Sequence, residues 1–293
     1  MTSSNPIQTI VVVGATGNQG RGVVRAILAE PLLASFHVRA LTRDVHSHSA
    51  TNLLSSLQTP SKRLSLATAD VFDVKSLELA FEGAYGVFAV TSMWKAGTRC
   101  ESEDELKAEL ESGKNIVAAA KQAGIKHFVL SSLPNLNKAS NGRFRKLFHF
   151  DHKAAVQDLA MQELPAVTAL HAAIFAKGPE LTHGKTYPVS SRMLFSDFPK
   201  IFTEVTSQPA VHEPTILEEW RSSQLAVAGK GFVEDASQMM EWTAVAPTDK
   251  ILFGTVDPKD DYSWEDPGVR ATSFPEWIKK NSWTAPAEIK STS

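Results

Sequence analysis

The sequence predicts an α/β protein built on a doubly wound parallel sheet, with a smaller α/β lobe at its C-terminal end. Two observations carry that expectation. Near the N-terminus a β-branched run, Ile10 to Val13, leads into Gly14, Gly17 and Gly20, then into Val23, Val24, Ile27 and Leu28 at helical spacing. Beyond it, short apolar runs and helix-period segments alternate with brief connections through Leu130, the pattern of consecutive βα units.

The first element is the most informative. A strand, a glycine turn and a helix follow one another in the order that a dinucleotide phosphate site requires, which is the Rossmann arrangement. Gly14 permits the tight turn, Gly17 lets a pyrophosphate approach the backbone, and Gly20 lets the helix close on the strand. The helix start then offers free N–H groups and the positive end of its dipole. The competing reading is a structural turn in some other α/β protein.

Bulk properties bound the function. A chain of 293 residues accommodates a nucleotide domain with a smaller lobe, and the expected division is 1–175 and 176–293. A net charge of −2 gives no global basic field, so neither nucleic acid nor an acidic membrane surface is an expected partner. Cys100, the single cysteine, excludes an intramolecular disulfide and a cysteine-rich zinc site. No apolar run reaches the roughly 18 residues that span a bilayer. The N-terminus shows no basic and apolar leader, so a cytoplasmic location is expected.

In chain order, Phe36 to Leu41 reads as the second strand, ending at Thr42, Arg43 and Asp44. In a dinucleotide fold this tip faces the adenosine ribose: an acid binds the 2′-hydroxyl, a base accommodates a 2′-phosphate. Arg43 is the first charge past the strand and favours NADP(H), while the adjacent Asp44 argues for NAD(H). Residues 45–63 read as a helix with polar flanks, in which His46 and His48 are solvated and no metal is expected. Leu64 to Ala67 is a third strand, after which Asp70 sits where such a fold meets adenine. Ser76 to Phe81 is helical. Val87 to Thr91 is a fourth strand, and Thr91, Ser92, Met93 and Trp94 lie at its C-terminal edge, where open parallel sheets bind ligands. An acidic stretch from Glu101 opens a long helix to Ala123, closed by Gly124, and His127 to Leu130 is the fifth strand.

At this point a family resemblance becomes specific. Val-Val-Val-Gly-Ala-Thr-Gly-Asn-Gln-Gly at 11–20, Leu-Thr-Arg at 41–43, Glu-Gly-Ala-Tyr-Gly-Val-Phe at 82–88 and His-Phe-Asp-His-Lys at 149–153 resemble the NmrA-like family. This is an atypical branch of the short-chain dehydrogenase/reductase superfamily. The run from Gly254 to Pro258, through Trp264 to Phe274-Pro275-Glu276-Trp277, is similar to the same family's tail. The resemblance implies NADP(H) as ligand. It implies a pyrophosphate held by Gly14, Ala15, Thr16, Gly17, Asn18 and Gln19, with Gly20 completing the cofactor-binding turn. It also places Arg43 at the 2′-phosphate, Asp70 and Val71 beside adenine, and Thr91 and Ser92 near the cofactor.

It further implies that Lys153 binds the nicotinamide ribose. In the superfamily that lysine acts on a Tyr four residues earlier, one helical turn away on the same face. Here the position holds His149. Two roles stay open for His149: a proton donor in place of Tyr, because imidazole titrates near neutrality, or a residue that packs or caps the helix.

Leu164 to Leu170 reads as a sixth strand. The family pattern then continues for tens of residues, whereas here Gly184 to Ser190, which reads as a late strand, follows almost at once. Relative to that pattern a block is missing between about 175 and 184, either as a real divergence or as a product of alternative splicing or a mis-called exon. The expected consequence is an exposed sheet edge with lower stability or a need for a partner. Ser196 to Thr206, with Ser196 as N-cap, Pro214 to Val227 and Phe232 to Val245 are expected helices. Asp260, Asp261, Glu265 and Asp266 read as a solvated acidic loop, and 284–293 as a frayed tail.

The leading functional expectation is an NADP(H)-dependent oxidoreductase that acts on a small organic substrate between the lobes, in the manner of biosynthetic enzymes. No GxSxG nucleophile competes with it. The alternative is a non-catalytic NADP(H)-sensing protein that binds a protein partner.

Overall fold

Five short parallel ladders tie the protein into one sheet with strand order β3-β2-β1-β4-β5-β6. The structure is a computed structural model that describes residues 7–57, 62–93, 97–169, 174–188, 193–263 and 272–284. The strands are β1 (Gln8–Val12), β2 (Phe36–Thr42), β3 (Leu64–Thr68), β4 (Gly86–Val90), β5 (His127–Ser131) and β6 (Val167–Ala169). The order reverses between β1 and β4, which opens a crevice at the carboxyl ends of those strands.

Helices cover both faces, so the strands are apolar on both sides rather than alternating. Val11 and Val13 point to one face and join Leu77, Phe81, Ile116, Val117 and Val156 from α3 (Val74–Phe81), α4 (Ala108–Gln122) and α6 (Phe148–Glu163). Ile10 and Val12 point to the other face. They meet Val24, Ile27 and Leu53 from α1 (Asn18–Ala29) and α2 (His48–Ser56), together with Ile174, Phe175 and Tyr187. The second core therefore reaches past residue 175.

Local chemistry starts these helices, α3 two residues before the expected Ser76. Asp73 caps α3 by accepting from Lys75 and Ser76 N–H groups, and Ser47 caps α2. The long helix expected from Glu101 is instead a 3-10 turn, Glu103–Lys107, leading into α4. A short helix α5 (Leu136–Ala139) precedes α6, capped by Asn135.

The shortened segment departs from expectation in an instructive way. Helices α7 (Ile174–Lys177) and α8 (Pro179–Thr182) fold back beside β6. The Val167 N–H donates to His183 Nδ1 at 3.0 Å, and the Val167 carbonyl accepts from Gly184 N–H at 2.9 Å. At Val167 the sheet edge is thus satisfied rather than open, because side-chain and turn groups replace a neighbouring strand. The late strand expected over 184–190 is no sheet strand at 184–188, and its last two residues lie outside the described set.

The remaining helices are α9 (Asp197–Thr206), α10 (Leu217–Ala228), α11 (Val233–Val245) and α12 (Phe274–Asn281). Ser196 precedes α9 but makes no side-chain cap; its backbone is already helical. Among the described residues the strand character of this part is one isolated bridge, Ile251 to Val256. Trp242 of α11 packs with Leu136, Phe144, Leu147 and Phe150, and Cys100 N–H bonds to the Ala228 carbonyl while the Cys100 carbonyl accepts from Gly231. These contacts seat α11 against the start of α6.

Candidate active site

The glycine turn forms as its sequence requires. Gly14 has φ +71°, which L side chains avoid, and a Cβ there would also meet Val90 at 2.6 Å. Gly20 lies against the turn itself: a Cβ would fall 2.2 Å from the Gly14 carbonyl oxygen. Helix α1 therefore begins hard against β1. Gly17 is its N-cap and has no side chain to cap with, so the first N–H groups of the helix have no capping side chain.

A cavity of about 460 Å³ opens beside this turn, across the carboxyl ends of β1 to β4. Of the residues singled out from sequence, Gly14, Thr16, Gly17, Arg43, Asp70, Val71 and Ser92 line it. Ala15 and Gly20 are buried beneath, and Asn18 and Gln19 are exposed on the first turn of α1. Trp94 lies outside the described residues.

The structure separates Arg43 from Asp44. Arg43 borders the cavity, whereas Asp44 turns its carboxylate back to accept from His46 N–H at 2.8 Å, and its carbonyl accepts from the Ser47 hydroxyl. Asp44 closes a local turn that leads into α2. Asp70 is likewise part of a turn, with Oδ1 accepting from Phe72 N–H at 2.9 Å, and the Val71 carbonyl accepts from the Asn115 side chain at 3.0 Å.

Thr91, just past β4, is buried between Val90 and Ser92, which line the cavity, and itself bonds to α6 rather than lining it. Lys153 Nζ donates to Thr91 Oγ1 at 2.7 Å and to Glu109 Oε1 at 2.6 Å, and the Thr91 hydroxyl donates to the same Glu109 oxygen at 2.6 Å. Glu109 is wholly buried and the Lys153 side chain is 13% exposed. Helix packing makes this possible. Gly113, one turn after Glu109, lies so close to Val156 that a Cβ would sit 2.2 Å from it, which draws α4 onto α6.

His149 stands one turn before Lys153. Its backbone N–H donates to Asp235 Oδ2 at 3.0 Å and its ring Nδ1 pairs with Asp235 Oδ1. Asp235 belongs to α11 and its side chain has no exposure. It caps α6 from 86 residues away and fixes the imidazole at the same time. Burial lowers the pKa of the neighbouring His152, against an opposing pull from Glu109. Cys100 is buried, and burial with nearby Glu105 pushes its thiol up to about 11, which rules it out as a thiolate nucleophile near neutrality.

Sequence reading had not singled out Glu109 or Asp235. Each carries a signal nonetheless. Glu109 shares the helix face of Gly113, Ile116, Val117 and Ala120, and Asp235 that of Met239 and Trp242. A carboxylate on an apolar stripe demands a buried partner.

A second cavity of about 280 Å³ lies between the end of β5, α6 and the C-terminal segment, with Ser132, Leu133, Ala154, Tyr187, Leu252 and Val256 among its walls. Among the described residues no group of three or more metal-ligating side chains is gathered, and no helix is long and apolar enough to cross a membrane.

Comparison with known proteins gives a consistent picture. Residues 6–178 match the model of the NmrA-like family. An NmrA-like family domain-containing oxidoreductase of Aspergillus hancockii is 40% identical over 141 residues, which is 46% of this chain and 37% of that protein. The matched stretch thus spans well under half of that relative's length. Among solved structures, an NADPH-dependent quinone oxidoreductase of Escherichia coli complexed with NADPH superposes with a TM-score of 0.63 at 16% identity, covering 93% of this chain and 99% of that one. NmrA, a negative transcriptional regulator in complex with NADP, superposes at 0.56 with 18% identity, covering 95% and 99%. At such identities the two structures show a shared fold.

Proposed function

We propose that this chain, which belongs to the NmrA-like family, is an NADP(H)-dependent oxidoreductase acting on a small organic substrate. The observation that carries the reading is the crevice at the sheet's switch point, where an uncapped helix N-terminus and Arg43 border one cavity while Asp44 is turned away. These groups fit the ligand: helix N–H donors at one end suit a pyrophosphate, and a guanidinium at the other suits a 2′-phosphate.

In this reading residues 1–175 hold the cofactor and 176–293 supply the substrate or partner lobe. Gly14 to Gln19 receive the pyrophosphate, Asp70 and Val71 border adenine, Thr91 and Ser92 approach the cofactor from β4, and Lys153 takes the nicotinamide ribose. The bound nucleotide supplies or accepts the hydride. The chain supplies the rest. The second cavity offers the substrate a bed of mixed polarity, lined by Leu133, Leu252 and Val256 together with Asn135, Lys138 and Asp158, next to Ser132 and α6. With Nδ1 held by Asp235, His149 keeps Nε2 as the ring nitrogen for proton exchange.

The test is a titration of NADPH and NADH followed by fluorescence and thermal shift, and then a screen for NADPH consumption on carbonyl, enone and quinone acceptors. Binding of neither nucleotide would overturn the reading. On an accepted substrate, His149→Gln lowers turnover about tenfold or more if His149 is the proton donor. Unchanged turnover would assign it to capping and packing alone.

A second reading, an NADP(H)-sensing protein that docks on a protein partner, draws support from the surface of the C-terminal part. Helix α10 buries none of its residues, and Ile216, Leu225 and Val227 stand exposed around it. Tight NADPH binding without consumption on any acceptor would favour this reading.

A further inference from the structure

The pairing of Lys153 with Glu109 has a consequence for the cofactor's charge. Lys153 makes two firm bonds, to Glu109 Oε1 at 2.6 Å and to Thr91 Oγ1 at 2.7 Å, and its third N–H has only the Thr91 carbonyl at 3.5 Å, which leaves it available to a ribose. Glu109 has no solvent exposure, and its second oxygen, Oε2, is buried without a hydrogen-bond partner. Hydrogen bonding to a ribose needs only Lys153's donors; it does not need a buried carboxylate behind them. A neutral acceptor would hold the ammonium without the cost of desolvating a charge. What a carboxylate adds is compensation: the Lys153–Glu109 pair is neutral as a unit. His149, one turn back, has its own carboxylate in Asp235, so Glu109 is not shared with it.

Charge matters here because the two redox forms of a nicotinamide differ by one unit on the ring. The oxidised ring is a cation and the reduced ring is neutral. A partly buried, uncompensated ammonium beside the nicotinamide half would repel the oxidised form selectively. We propose that Glu109 is a positioning residue that neutralises Lys153, and thereby sets how this chain weighs oxidised against reduced cofactor. The inference rests on the NADP(H) reading and on Lys153 serving the nicotinamide half.

The experiment measures dissociation constants for NADP⁺, NADPH and 2′,5′-ADP, the last lacking the nicotinamide half. It compares the wild type with Glu109→Gln and with the double variant Glu109→Gln/Lys153→Met. Glu109→Gln should raise the ratio of the NADP⁺ constant to the NADPH constant roughly tenfold, with 2′,5′-ADP affinity unchanged. Removing the ammonium as well, in the double variant, should return the ratio to near its wild-type value. If Glu109→Gln fails to fold, the double variant against Lys153→Met keeps the test: the Lys153→Met chain, left with an uncompensated carboxylate, should shift the ratio the opposite way. An unchanged ratio, or equal weakening of all three ligands, would overturn the role of Glu109 and leave the NADP(H) reading standing. Failure of the wild type to bind any of the three would overturn that reading and this inference with it.

Discussion

The two halves of the sheet are built on different principles. Across β3, β2, β1 and β4 the site is made of backbone: a glycine turn, an uncapped helix start, and strand tips whose side chains are tied into local turns by Asp44, Asp70 and Asp73. Around β5 and β6 the fold instead rests on buried polar side chains that meet over long sequence distances, at both ends of the sheet. Lys153 finds Glu109, His149 finds Asp235, the His127 ring meets the Thr182 hydroxyl at 3.2 Å, and Val167 is completed by His183. The first half is expected to be most sensitive to backbone shape. The second half depends on protonation states and on keeping both members of each pair.

The largest effect should come from breaking the backbone half. In Gly20→Val the new Cβ would sit 2.2 Å from the Gly14 oxygen and 2.8 Å from Ala15 Cα, neither of which can move without opening the turn. The expected loss is about 4 kcal/mol in denaturant unfolding, with no measurable NADPH binding in whatever folded fraction remains. Near-native stability would show that the turn adapts.

The pH dependence of stability tests the other half. His127 is fully buried and burial pushes its pKa down from 6.5 to about 4. Between those values the unfolded chain holds the extra proton, so stability is complete above pH 6.5 and falls as pH drops towards 4. The expected loss is about 3 kcal/mol, and His127→Gln should flatten that segment of the profile. Urea unfolding at pH 7 and pH 4.5 measures it; equal slopes in both proteins would remove His127 from the account.

A smaller effect is expected at Asp235. Asp235→Ala leaves the His149 N–H and ring nitrogen without their acceptor, a cost of about 2 kcal/mol, and Asp235→Asn should recover part of it. The smallest change belongs to Arg43, on the exposed rim of the backbone half. Arg43→Ala should weaken NADPH roughly tenfold, leave NADH binding unaltered and scarcely move the melting temperature. Equal weakening of both nucleotides would detach Arg43 from the 2′-phosphate.

The sequence by itself determined the backbone half. Ile10 to Val13, the three glycines and the following helical stripe are neighbours in the chain, and each obeys a steric or periodic rule that acts over one or two turns. The strand order, which gathers Gly14, Arg43, Asp70 and Ser92 around one cavity, is a property of the folded sheet. Whether Arg43 or Asp44 would face that cavity was not legible, because adjacent residues at a strand end differ only in how the next turn closes. The same holds for the shortened segment, whose expected open edge is met at Val167 by His183 and Gly184. Only tertiary structure decided the partners of α6. Glu109 lies 44 residues from Lys153 and Asp235 lies 86 from His149. No local pattern encodes which distant carboxylate will arrive. That depends on how closely α4 approaches α6 at Gly113, and on where α11 is seated beside the start of α6, and both are properties of packing.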